Sequence, residues 1–203
     1  MKVNENKTKL VHYRPKRFPQ TNFKFKLNSS VLEIMDTYKY FGFYFDQYLD
    51  YKQGTVILAQ AGGRALGSVI FKSKSFRDAG FNTCTKLYNS CVVPITDYFS
   101  SLWAQSVMKY SEIEKVQNRA MRYFLGVHSK TPIFAIKGEM GWMSPKYRHF
   151  TDMFRLWNRL IAMGDSRLTK KVFLWDHTEV GNSWSKEFVN ICKIFDLENV
   201  FDS

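Results

Sequence analysis

The sequence has few of the features that mark extracellular or membrane-spanning proteins. Its three cysteines, at positions 84, 91 and 192, are too few and too scattered for a disulfide framework. No C-x-x-C pair and no His/Cys cluster has zinc-ligand spacing, so we expect no metal site and no cofactor. The first residues are polar and no apolar run approaches about 18 residues. We therefore expect an intracellular protein without a membrane span, with nucleus and cytoplasm both left open.

The sequence also lacks the acidic pair of a nucleic-acid polymerase. Polymerisation by the two-metal mechanism needs two ions about 4 Å apart, held by carboxylates. The usual sequence trace is a pair of adjacent Asp residues at a turn between apolar strands, and no Asp-Asp dipeptide occurs here. The acids in and just after the predicted β region, Glu33, Asp36, Asp46 and Asp50, form no turn-flanked pair. We therefore assign no catalytic residue and expect no enzyme activity.

What the chain does contain is apolar material and positive charge. Hydrophobic residues make up 45% and aromatic residues 17% of the chain, which is enough for a core and argues against general disorder. The formal net charge is +12, with +7 in residues 1–30, +5 in residues 131–174 and −4 in the last 29 residues. A charge of this sign attracts polyanions and speeds encounter with them, so nucleic acid is the expected partner class.

Hydrophobic periodicity divides the chain into a β part and a helical part. Residues 23–27 alternate apolar and Lys side chains and are followed by a turn at 28–30 and an apolar return, which predicts a hairpin. Further strands are expected at 10–13 and, as one aromatic strand, at 38–45. After residue 50 the spacing becomes three and four, typical of helices. The prediction is an α+β fold, in which a short antiparallel sheet precedes a mainly helical region.

The predicted helices begin with one that carries the string GGRALG at 62–67, which we interpret as a glycine-weakened helix segment rather than a phosphate loop. A second helix is expected at 82–106, interrupted near Pro94, and a third from Ser111 to a glycine stop at Gly126. Further helices are expected near 131, 145–163, 167–175 and 183–195. Four tryptophans are expected to be packing residues rather than a stacking platform for bases: Trp142, Trp157, Trp175 and Trp184.

Several strings occur in an order that resembles one known family. They are NENKTKLVHY at 4–13, YKYFG at 38–42, KLY at 86–88, VP at 93–94, the segment 98–103, IEKVQNRAMR at 113–122, FLGVH at 124–128, TP at 131–132, GEMGW at 138–142, RLWNRL at 155–160 and the segment 167–175. In this order they resemble the end of the palm, the thumb and the adjoining helices of non-LTR (LINE-type) retrotransposon reverse transcriptases. The resemblance covers residues 4–176 and is most specific at 113–132, in the strings IEKVQNRAMR, FLGVH and TP.

The resemblance implies a role for particular side chains. Lys7 would face the phosphates of the incoming nucleotide, with Lys9 beside it. Tyr40, Phe41 and Gly42 would hold the primer end, and Lys115, Arg119 and Arg122 would follow the backbone of an RNA–DNA hybrid or duplex. The match begins just after the point where the family carries its catalytic Asp pair, so binding without polymerisation is expected. The implied division is a palm remnant at 1–50, a thumb-like region at 51–176 and an acidic tail at 177–203.

The sequence departs from the family pattern at several positions, and other hypotheses stay open. Phe41 stands where the family usually has Leu, Phe99 where it usually has Gly, and Gly62 and Gly63 replace small helix formers. A second hypothesis is an interaction subunit, which completes its sheet with a protein partner or a second copy through an exposed strand edge and an apolar face at Phe23, Phe25 and Leu27. A third is a transposon fragment without selected function.

Overall fold

The computed structural model describes residues 4, 8–75, 80–104, 111–179, 181 and 183–197, with strands first and helices after them. The strands are β1 (Lys26–Leu27), β2 (Ser30–Val31), β3 (Thr37–Tyr40) and β4 (Phe43–Asp46). The helices are α1 (Lys52–Ser73), α2 (Phe81–Cys91), α3 (Val93–Thr96), α4 (Ser100–Trp103), α5 (Ser111–Leu125), α6 (Ile133–Met140), α7 (Pro145–Ile161), α8 (Leu168–Glu179) and α9 (Trp184–Ile194). This order confirms the predicted α+β class.

The strands form two antiparallel hairpins rather than one sheet. The first, β1–β2, turns at Asn28, whose φ of 54° lies in the left-handed region. The segment predicted as a strand at 10–13 contributes only a parallel bridge between Leu10 and Ile34. The β part is therefore smaller than the sequence pattern suggested.

The predicted single aromatic strand at 38–45 is wrong, because the segment is itself a hairpin. β3 pairs with β4 in the register Thr37↔Asp46 to Tyr40↔Phe43. The two turn residues, Phe41 and Gly42, have φ of 45° and 88°. Two positive φ values make the turn that matches the twist of paired strands, and glycine adopts such values without steric cost. The aromatic residues between positions 38 and 45 therefore gave no indication of the turn at Phe41-Gly42.

Helix α1 is the centre of the fold. It packs against α5, α3, α2 and β4, and the string GGRALG lies inside it, as predicted. The β3–β4 hairpin approaches α1 where the helix has no side chain, because a Cβ on Gly54 would lie 2.4 Å from Cζ of the buried Phe43 ring. The glycine therefore fixes how closely the hairpin can pack on the helix.

Helix α1 is also the one described helix whose length and mean hydropathy would allow it to cross a membrane, although we had expected no such segment. Core helices of soluble proteins meet the same two criteria. Its buried hydrophobic residues, Leu58, Ala59, Leu66 and Val69, belong to the main core cluster. The helix thus has a packing role within this fold.

The predicted helix at 82–106 is broken into α2, α3 and α4. Pro94, which lacks a backbone N–H, lies in the first turn of α3, just after the break at Val92. The second break is at Phe99, whose φ is 56°. Glycine adopts this conformation freely, and a non-glycine residue there costs about 1 kcal/mol or more. Phe99 is also one of the positions at which the sequence departs from the family pattern that it resembles.

One hydrophobic cluster runs from β4 to α9. It includes Phe43, Trp103, Met153, Trp157 and Phe188, and the Trp157 and Phe188 rings stack with centroids 4.6 Å apart. Of the tryptophans predicted to be packing residues, those at positions 142, 157 and 184 pack in or against this cluster, whereas Trp175 on α8 is 60% exposed. The division into segments 1–50, 51–176 and 177–203 stays a prediction.

Candidate nucleic-acid interface

Helix α5 separates an apolar face from a basic face, as its sequence predicted. Four residues of the apolar face are buried: Ile113, Val116, Ala120 and Met121. Lys115 and Arg119 are exposed on the other side of the helix, and Arg122 is half-buried. Because helix positions three and four apart share a face, these three cations form one row, here called the basic face of α5. Lys115 pairs with Glu112 on the same helix, and Arg122 Nη2 lies 3.5 Å from the Thr131 carbonyl oxygen.

Two shallow grooves lie along the basic face of α5. One, of about 260 Å³, runs between α5 and α1, and its lining includes Gln60 and Gly63 of α1 and Glu112, Lys115 and Arg119 of α5. The other, of about 280 Å³, is lined by Lys115, Asn118, Arg119, Arg122 and Ser129. The structure thus brings three of the predicted site residues to adjoining grooves. Seven helix residues rise about 10 Å, so the three cations span about 10 Å along α5.

The hairpin tip at Tyr40, Phe41 and Gly42 lies elsewhere, and none of these residues lines either groove. Tyr40 and Phe41 are 54% and 69% exposed, and their ring centroids lie 4.4 Å apart. The Tyr98 hydroxyl donates a 2.6 Å hydrogen bond to the Phe41 carbonyl oxygen, which ties the tip to the loop between α3 and α4. The predicted residues therefore form two separate groups, one aromatic and one basic.

The N-terminal lysines of the prediction are placed differently again. Lys9 pairs with Glu33 across the bridge between Leu10 and Ile34, and both side chains are partly exposed. Such an exposed pair contributes little to stability and can exchange for another anion. Lys7 lies outside the described residues.

A buried charged cluster that sequence reasoning missed ties α7 to the α3–α4 loop. Asp97 accepts hydrogen bonds from Arg148, through Nε at 2.7 Å and Nη2 at 3.1 Å, and its Oδ1 lies 2.9 Å from Nε2 of His149. Arg148 Nη1 donates to Gln117 Oε1 at 2.6 Å and to the Met143 carbonyl oxygen at 2.9 Å. His149 is fully buried. In the sequence only the adjacent residues Arg148 and His149 could have indicated this cluster. Their adjacency does not identify Asp97, which lies 51 residues before Arg148.

The charges within this cluster stabilise one another. Burial alone raises the pKa of the Asp97 carboxyl, but the hydrogen bonds and charges of His149 and Arg148 outweigh burial and hold that pKa below its ordinary value. Burial likewise lowers the pKa of Arg148, but the hydrogen bonds and charges of Asp97 and, to a smaller extent, of Tyr88 outweigh burial and raise that pKa above its ordinary value. Burial also raises the pKa of Tyr88, whose hydroxyl faces Gln117, to about 12. Asp97 and Arg148 therefore form a charge-paired structural unit at neutral pH.

Comparison with known proteins identifies no relative. No family model, no curated protein and no solved structure matches the chain. The resemblance to non-LTR reverse transcriptases therefore stays a prediction that depends on the sequence strings alone. Within the described part of the chain, no three His, Cys, Asp or Glu side chains converge as a metal-binding group.

The buried carboxyl of Asp97 predicts a specific loss of stability in acid. Its pKa is lower in the folded chain than the value of about 3.9 expected in the unfolded chain. Its contribution is therefore complete above the unfolded pKa and is lost as the pH falls through the folded pKa. Between about pH 5 and pH 2.5, the urea midpoint of the wild type should fall more steeply than that of Asp97→Asn. Parallel pH profiles for the two proteins would contradict this account.

Proposed function

We propose that the chain binds double-stranded nucleic acid, an RNA–DNA hybrid or a DNA duplex, through the basic face of α5, and does not polymerise it. The observation that carries the proposal is the row of Lys115, Arg119 and Arg122 along two adjoining grooves. Contacts to phosphates recognise charge and backbone geometry rather than base sequence, so little sequence preference is expected.

The surroundings of the basic face of α5 support this role. Gly63, in the floor of the α1–α5 groove, has no atom within 4 Å of an ideal Cβ position, so a backbone can approach α1 closely there. The net charge of +12 adds long-range attraction. By the resemblance, Tyr40, Phe41 and Gly42 would hold a strand end, and Lys7 and Lys9 would contribute further phosphate contacts.

The triple variant K115Q/R119Q/R122Q tests this proposal. Each phosphate contact contributes about 0.9 to the slope of log affinity against log salt. The variant should therefore bind a 20-base-pair hybrid more weakly, with a slope reduced by up to about 3. Fluorescence anisotropy at five salt concentrations would measure both effects.

The matched control for that experiment is R159Q/K171Q/K193Q, which removes three exposed cations from α7, α8 and α9. It changes the net charge equally, so it should lose only the general attraction. Equal losses in the two variants would show that net charge, and not the basic face of α5, determines binding. A primer-extension assay with Mg²⁺ should give no product from the wild type.

The exposed hairpin β1–β2 favours a second candidate, an interaction subunit. Phe23 is 65% exposed and its ring packs edge-on against Phe25, with centroids 4.8 Å apart, while Val31 is 54% exposed. Exposed aromatic residues beside an open strand edge suit pairing with a further strand from another chain. This role would not require the basic face of α5.

Size-exclusion chromatography with light scattering tests the second candidate. If the hairpin pairs with a second copy, the wild type should be dimeric at micromolar concentration and the variant F23S/F25S monomeric. K24Q, which changes a neighbouring exposed lysine in the same segment, is the control and should keep the wild-type mass. A monomeric wild type with an unchanged hairpin would exclude self-association.

A further inference from the structure

A cleft away from the basic face of α5 has the features of a ligand site. It has a volume of about 730 Å³ and opens between α2, the α3–α4 loop, the α6–α7 loop and α7. Its size is within the range of about 300–1,000 Å³ that is usual for small-molecule sites. Its lining combines aromatic rings with both members of the Asp97–Arg148 pair.

Two of the rings that line the cleft are accessible, Trp142 and Tyr98. Trp142 stacks on the buried Tyr88 ring, with centroids 4.4 Å apart and planes 17° apart, and Tyr98, which is 41% exposed, packs edge-on against Phe99. The Trp142 indole N–H donates to Thr85 Oγ1 at 3.2 Å, which holds that ring in place. Preorganised aromatic walls favour a planar ring as the occupant, because stacking needs no rearrangement.

The base and the sides of the cleft are fixed by the buried cluster and by special backbone conformations. Arg148 connects Asp97 to Gln117 and to the Met143 carbonyl oxygen. Phe99 and Gly141, both in the lining, have positive φ values of 56° and 59°. A non-glycine residue in this conformation is often associated with a ligand site.

The charges that line the cleft do not favour binding of a nucleic-acid backbone through its phosphates alone. Asp97 and Asp152 balance Arg148 and Arg155, so the lining is neutral overall and does not concentrate polyanions. At the rim, Arg155 bonds Asp152 through Nη1 at 3.0 Å, and its side chain is 73% exposed. Asn89, also in the lining, is exposed and carries an amide that can both donate to and accept from a base edge.

We propose that this cleft binds one unpaired nucleotide. The base stacks on the aromatic wall, the Asn89 amide bonds the base edge, and the phosphate meets Arg155 at the rim. The site is independent of the basic face of α5 and does not depend on the duplex binding proposed above.

Isothermal titration calorimetry with adenosine monophosphate, adenosine and inorganic phosphate tests the site. The monophosphate should bind more tightly than either part. One charge-assisted hydrogen bond is lost in Arg155→Gln, which should weaken monophosphate binding about tenfold and leave adenosine binding unchanged. Arg159→Gln, an exposed arginine one turn further along α7, is the control and should have no effect.

A second measurement tests whether the monophosphate binds in the cleft. On addition of the monophosphate, the Asn89 side-chain amide signals should shift in ¹⁵N–¹H spectra of the wild type. The triple variant K115Q/R119Q/R122Q should bind the monophosphate as the wild type does, so failure of duplex binding and failure of this site are distinguishable. Binding of phosphate as tight as that of the monophosphate, unshifted Asn89 signals, or no binding at millimolar concentration would each overturn the proposal.

Discussion

Asp97→Ala should lower the free energy of unfolding by about 3–5 kcal/mol, because it leaves Arg148 and His149 buried without their shared carboxylate. Only 11% of the Asp97 side chain and 18% of the Arg148 side chain are exposed. Water from the adjoining cleft can therefore replace the lost hydrogen bonds only in part, and the variant must leave Arg148 incompletely paired or open the contact between α7 and the α3–α4 loop. Urea unfolding followed by circular dichroism at pH 7 measures the loss.

Two further variants separate this effect from a general change of charge. Asp165→Ala removes an exposed carboxylate between α7 and α8 and should change stability by no more than about 0.5 kcal/mol. The double variant D97N/R148M removes both charges and should recover part of the loss, because no charge is then left unpaired. A loss below about 1 kcal/mol in Asp97→Ala would show that the cluster is not a stabilising unit.

Substitution of the two adjacent glycines of α1 should have effects of opposite sign. A Cβ on Gly62 would lie 2.5 Å from Cγ2 of Thr96, on α3. Thr96 is fully buried, and its hydroxyl donates to Asp97 Oδ1 at 3.0 Å, so the side chain cannot rotate away without losing that bond. Gly62→Ala should therefore destabilise the fold by a net amount of about 1–2 kcal/mol, even after the gain in helix propensity.

Gly63→Ala is the matched control, because nothing lies within 4 Å of its ideal Cβ. It should stabilise the fold by up to about 1 kcal/mol through the lower entropy of the unfolded chain. Thermal and urea unfolding of both variants would measure the difference. Equal effects at the two positions would show that α1 and α3 do not pack as closely as described.

Local pattern predicted those parts of the candidate site that lie on one element. Lys115, Arg119 and Arg122 were placed on one face of α5 because positions i, i+4 and i+7 coincide on a helix. The sequence could not show that α1 provides a glycine-lined wall beside them, since Gly63 is 52 positions before Lys115. The sequence also could not show that Gly62 packs against Thr96 whereas Gly63 faces open space, so the two glycines were indistinguishable from sequence.

At two places the sequence pattern led to a wrong structural prediction. Alternating rings favoured one strand at 38–45, but the positive φ values at Phe41 and Gly42 make a turn. Trp175 has the residue type of a core position, yet it lies on the exposed side of α8. Hydrophobicity reports what a residue gains by burial, and the tertiary arrangement decides which residues are buried.

The sequence by itself determined the α+β order, the extent of α5, the basic face of α5 and the absence of an Asp-Asp pair, because periodicity, charge and composition are local properties. Only the tertiary structure decided that Asp97 meets Arg148 and His149, that the hairpin tip at Phe41 lies against Tyr98 rather than along the basic face of α5, and that a cleft opens beside Trp142. These contacts join residues about 50 positions apart. They form only when packing of the apolar faces has offset the entropy of closing the chain between them.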